Sequence, residues 1–148
     1  MAWPIIVAWI HYIGIMLLLA SLLGEHLVLK PELTAAQAQT IQRLDIVYGA
    51  SAAIVLVTGI WRMFLEKGAS YYNHQIAFHI LVGIFVIVAL LSIYPTMIFL
   101  RWRPDSVVGR GQQLAQAQFK KIQMIVRLEM TLLLLAPLFA TWMAHGSF

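Results

Sequence analysis

Two histidines occupy positions where imidazole is rarely found. His11 and His79 each lie early in a long uncharged apolar stretch of a 148-residue chain that has five histidines and no cysteine. A charged side chain in the middle of a membrane span costs about 2.5–3.5 kcal/mol, so every ionisable group kept there is a candidate for chemistry. His11 comes eight residues after Trp3, and His79 eight residues after Tyr71. At 1.5 Å per residue each ring therefore sits about 12 Å below an interfacial aromatic. The first and third segments of a multi-span chain run in the same direction, so the two rings reach one depth. Neutral imidazole is a good iron ligand, and two of them at one depth can hold one haem iron from opposite faces. Gly14 follows His11 by three residues and Gly83 follows His79 by four. That spacing puts both glycines on the ligand faces, where they leave room for a flat macrocycle. Arg62 and Lys67, in the connector on the same side, are candidate partners for the propionates of haem b. Two other readings stay open for the pair: hydrogen bonding to Ser21, Ser51, Thr58 or a backbone carbonyl, and a proton or quinone site. His74 and His145 lie at the outer interface and His26 at the inner one, and the seven methionines read mostly as packing.

A second group is acidic. Glu25, Asp45, Glu129 and the neighbouring Arg127 all fall near the inner ends of their segments. They read as a layer of ion pairs between helices, because unpaired charges there are costly. The functional alternative is a proton entry from the cytoplasm, which Tyr48, one turn deeper than Asp45, would extend.

The elements that must position these groups follow from composition. Hydrophobic residues make up 61% of the chain and charged residues only 11%, where a soluble domain carries about 25%. Mean hydropathy is +0.84. The reading is a single all-α transmembrane domain over residues 1–148, with spans near residues 3–27, 40–63, 72–99 and 122–144, each close to the ~20 residues that cross a bilayer. The first stretch lacks the basic start and small-residue cleavage site of a signal peptide. Thr34 and Gln37 form a T-x-x-Q capping box that opens the second helix at Ala35, which should run to about Leu65. Pro95 is expected to kink or end the core of the third. The words AQAQTIQ, from Ala36, and AQAQFKKIQ, from Ala115, each lead into an even-numbered span, consistent with a two-plus-two pseudo-repeat.

Lys and Arg fix the orientation. Connectors one and three hold eight (Lys30, Arg43, Arg101, Arg103, Arg110, Lys120, Lys121 and Arg127), and the opposite side holds two, Arg62 and Lys67. The positive-inside rule then sends both termini outward, to the periplasm of a bacterial inner membrane. Trp3, Trp61, Tyr71, Tyr72 and Trp142 would form the outer aromatic belt. The net charge of +4 is accounted for by topology, and the connectors read as lipid-facing or solvated, with no nucleic-acid partner. Absence of cysteine excludes disulfides, thiolate metal sites and a cysteine nucleophile. There is no zinc-protease HExxH, no P-loop, no dinucleotide glycine fingerprint and no serine-hydrolase elbow, so hydrolases and NTPases drop out.

The runs LDIVYG (Leu44 to Gly49), GIWRMFLEKGASYY (Gly59 to Tyr72) and LLSIYPTMIFLRWRP (Leu90 to Pro104) resemble a bacterial family of predicted four-span membrane proteins of unknown function. More distantly, W-I-H at Trp9 to His11, T-G-I-W at Thr58 to Trp61 and F-H at Phe78-His79 resemble the HemJ-type protoporphyrinogen oxidases, small membrane proteins holding haem b. That resemblance implies a haem axial ligand at His11. The second ligand of that family is a methionine in the helix-three region; here the choice is His79 or a Met. The expectation is a b-type haem-binding membrane redox protein, either oxidising protoporphyrinogen or exchanging electrons with a lipid-soluble quinone or porphyrin partner. The alternative is a non-catalytic subunit or assembly factor, in a homo-oligomer or larger membrane complex, whose histidines are structural.

Overall fold

The computed structural model describes residues 2–66, 74–104 and 111–144. Its elements are α1 (Trp3–Val28), β1 (Glu32–Leu33), α2 (Ala35–Glu66), α3 (Ile76–Arg101), β2 (Gln112–Gln113) and α4 (Gln116–Ala144). All four helices are long and apolar enough to cross a membrane. Their outward faces carry Ile5, Leu90, Leu134 and Leu138, all largely exposed, a surface suited to hydrocarbon and foreign to water.

Local chemistry sets the helix ends. Pro4 stands in the first turn of α1, where a missing N–H costs nothing. The capping box at α2 is formed as expected: the Thr34 N–H donates to Gln37 Oε1 at 3.0 Å, and the Gln37 N–H to Thr34 Oγ1 at 3.2 Å. Pro95 does not end α3, which continues to Arg101 with the ring buried. An apolar helix surrounded by neighbours tolerates the lost bond.

Each helix runs antiparallel to the next. Along α1 and α2, Gly14 faces Ile54 and Val55, and Gly24 faces Leu44. Gln42 of α2 donates to the carbonyls of Phe99 and Trp102 where α3 ends. Packing is densest within the hairpins α1–α2 and α3–α4 and sparser between them, through α1–α4 and α2–α3. The core of Leu22, Ile41, Phe99, Ile122 and Val126 lies toward the end where both hairpins turn. There β1 and β2 pair antiparallel, Glu32 with Gln113 and Leu33 with Gln112. The backbone passes so close that a Cβ on Gly111 would lie 2.1 Å from the Leu33 carbonyl oxygen. Only glycine fits. This end is called the ribbon end below, and the opposite one the termini end.

Candidate functional site

His11 sits in the α1–α2 interface, and its Nδ1 lies 2.8 Å from Thr58 Oγ1. Thr58 has one hydroxyl proton, which goes to the Ile54 carbonyl at 2.5 Å. The threonine oxygen therefore accepts, and His11 Nδ1–H donates. A neutral ring in this state carries its lone pair on Nε2, the arrangement by which ligating histidines are held by their second nitrogen. Gly59 permits the close approach, since a Cβ there would stand 3.2 Å from His11 Cε1. One turn further toward the termini end, the Arg62 guanidinium lies over the Tyr12 ring, 5.2 Å from its centroid.

His79 is on an exposed face of α3. Extending the α2–α3 register from Tyr48–Ser92 sets it level with residue 61 of α2, three residues past Thr58. At 1.5 Å per residue that is about 4–5 Å from the level of His11. The two imidazoles thus share a depth to within a turn, but α1 and α3 do not pack as a pair. Gly14 is occupied from the α2 side: a Cβ there would meet Ile54 Cγ2 and Val55 Cγ2, both at 3.1 Å. It brings two helices together and opens no space. Gly83 is different, with nothing within 4 Å of its Cβ position. Lys67, Tyr71, Tyr72, Arg110 and His145 lie outside the described residues. The side chains present suit an iron ligand at His11, held by Thr58; they do not bring His79 onto the same interface.

The acidic residues form a second constellation, in the half nearer the ribbon. Glu25 of α1, Asp45 of α2 and Glu129 of α4 are 2%, 5% and 2% exposed. Thr96 Oγ1 of α3 donates to Asp45 Oδ1 at 3.1 Å. Ser92 Oγ lies 3.1 Å from Glu129 Oε1 and 2.8 Å from the Tyr48 hydroxyl. Glu25 and Asp45 interact across the α1–α2 interface, beside the Gly24–Leu44 contact, and Glu25 Oε1 makes no hydrogen bond. The expected ion-pair layer is not formed. Among the described residues no cation faces these carboxyls, and Arg127 is exposed. Two residues apart on a helix, Arg127 and Glu129 point to opposite sides. Among the described residues no group of three His, Cys, Asp or Glu is arranged to hold a metal ion. Ser92 and Thr96 were not singled out in the sequence, although a polar pair at i, i+4 inside the most apolar helix marks one face.

Four membrane-length helices in two antiparallel hairpins, with polar side chains gathered inside and apolar ones outside, define a multi-pass membrane four-helix bundle. Over residues 3–147 the chain matches the family described as "Predicted membrane protein (DUF2214)", and it belongs to that family. No curated protein and no solved structure matches the chain.

Proposed function

We propose that this protein is a redox protein of the bacterial inner membrane, with both chain ends periplasmic, that binds one b-type haem in the termini-end half of the bundle. His11 would hold the iron from the α1–α2 interface, His79 or a methionine would have to reach it from outside that interface as the second ligand, and Arg62 and Lys67 would be the propionate partners. The observation that carries this reading is the ring of His11, held through Nδ1 by Thr58 inside a membrane-length helix pair. When bound, the haem supplies one-electron chemistry. The chain orients the ligand ring, and Gly59 gives the ring space against α2. The distant likeness to HemJ-type oxidases makes oxidation of protoporphyrinogen the most concrete reaction, with a quinone or porphyrin in the bilayer as the lipid-soluble partner.

The test is the absorbance spectrum of protein purified from haem-replete cells. A Soret band is expected, lost in His11→Ala and kept in His74→Ala. A colourless wild type, or a band undiminished in the His11→Ala, His79→Ala double variant, refutes the reading. A reporter fused to the C-terminus and active only in the cytoplasm refutes the orientation.

A second reading, a non-catalytic subunit or assembly factor, is favoured by α3. His79 lies on an exposed face there, with Gly83 one turn further along, and small residues at such positions let a partner helix approach closely. Colourless protein that co-purifies with a larger complex is the result this reading expects.

A further inference from the structure

Among the described residues no cation neutralises the three buried carboxyls, so another ligand must. Their hydrogen bonds identify it. Glu25 and Asp45 adjoin the Gly24–Leu44 contact of α1 with α2, and two carboxyls buried side by side are accommodated when one of them carries a proton. Glu25, 2% exposed, still has Oε1 unpartnered. That is a buried carboxyl oxygen with no N–H or hydroxyl donor.

The second half of the cluster has two complete hydrogen-bond arrangements. Ser92 Oγ is 2.7 Å from the Val88 carbonyl, 3.1 Å from Glu129 Oε1 and 2.8 Å from the Tyr48 hydroxyl, yet it owns one proton. If Glu129 is ionised, Ser92 donates to it, and the Tyr48 hydroxyl donates to Ser92. With Glu129 protonated, the carboxylic acid donates to Ser92 and Ser92 turns its proton to Val88. No heavy atom has to move between the two states. A site satisfied in both by the turn of a hydroxyl suits a ligand that has no size.

We propose that Glu25, Asp45 and Glu129, linked by Tyr48, Ser92 and Thr96, form an intramembrane proton-binding site that holds at least one exchangeable proton and exchanges it with water at the ribbon end. Glu25 is three residues from the end of α1, and Thr96 five from the end of α3, so the ribbon side is the short way out. Among the described residues, the groups facing the site are Glu25 from α1, Asp45 and Tyr48 from α2, Glu129 from α4, and the hydroxyls of Ser92 and Thr96 from α3. His26 follows Glu25 in the chain and has a buried Nδ1 without a partner. The site does not depend on haem, and its test is read on colourless protein as well.

The experiment is infrared difference spectroscopy of the full chain in lipid nanodiscs, following the C=O stretch that only a protonated carboxyl shows. At neutral pH the band is expected, shifting on exchange into D2O and falling as pH is raised while the helical amide I band stays constant. Glu25→Gln and Glu129→Gln should each remove part of it. Ser92→Ala, which keeps every carboxyl, should shift the Glu129 component. The proposal is overturned by a folded protein with no such band, by a band that neither D2O nor pH alters, or by one that sodium chloride titrates at fixed pH. If the two glutamine variants fail to fold, the Ser92→Ala shift decides, and an unshifted band overturns the assignment to Glu129.

Discussion

Adding one methyl group at Gly14 and at Gly83 should have opposite consequences, although both glycines lie one turn from a candidate ligand histidine. Alanine in a helix interior is favoured over glycine by about 0.8–1 kcal/mol. At Gly83 nothing lies within 4 Å of the new Cβ, so Gly83→Ala should gain up to that amount. At Gly14 the methyl meets Ile54 Cγ2 and Val55 Cγ2 at 3.1 Å, several tenths of an ångström inside comfortable contact. Both neighbours are β-branched, and in a helix such side chains are held to essentially one rotamer. The α1–α2 separation must therefore yield, and overpacking of this kind costs about 1–3 kcal/mol. The propensity gain is common to both variants, so the difference between them is the packing cost, about 5- to 140-fold in the unfolding equilibrium at 1.4 kcal/mol per decade. Titration with sodium dodecyl sulfate in mixed micelles, followed by helicity, measures it. Equal stability of the two variants, or a Gly83→Ala variant less stable than Gly14→Ala, would refute the α1–α2 register from which these contacts follow.

Two further outcomes rest on single contacts. Thr58→Val should cost about 0.6–1.7 kcal/mol, the range for polar bonds between membrane helices, and shift the ring 15N resonances of His11; Thr58→Ser should restore both, and unchanged resonances in the valine variant would remove the hydrogen bond from the argument. Gly111→Ala should break the ribbon, because its Cβ falls 2.1 Å from the Leu33 carbonyl oxygen. Loss of hydrogen-exchange protection at the Leu114 amide, which donates to the Pro31 carbonyl at 2.8 Å, reads it directly, and retained protection contradicts it.

The features legible in the sequence are those set by local chemistry. Thr34 and Gln37 announced the start of α2, and uncharged length announced four membrane helices. Both depend only on residues adjacent along the chain. What could not be read is which way each side chain turns once helices choose neighbours. Equal depth for His11 and His79 followed from counting residues, but depth says nothing of azimuth. His11 turns toward α2 and Thr58, while His79 lies on an exposed face of α3. Gly14 looked like room for a ligand and is a point of helix contact, because a missing side chain reads the same in either role. The expected pairing of Arg127 with the acids was an error of the same kind. Near in sequence, Arg127 and Glu129 are on opposite sides of one helix, and Glu129 meets the Ser92 hydroxyl of α3 instead.

The polar layer lies across the seam between the two hairpins. Tyr48 meets Ser92, Asp45 meets Thr96, and Gln42 holds the end of α3; each bond joins the first hairpin to the second. In hydrocarbon, apolar side chains gain nothing by leaving lipid for one another, so cohesion between helices falls to close packing and polar bonds. Packing is sparser at this seam than within either hairpin. The same oxygens that gather protons are therefore the clasp of the molecule, with the ribbon as its hinge pin. A chain stripped of them would come apart as two intact hairpins before any helix unwound.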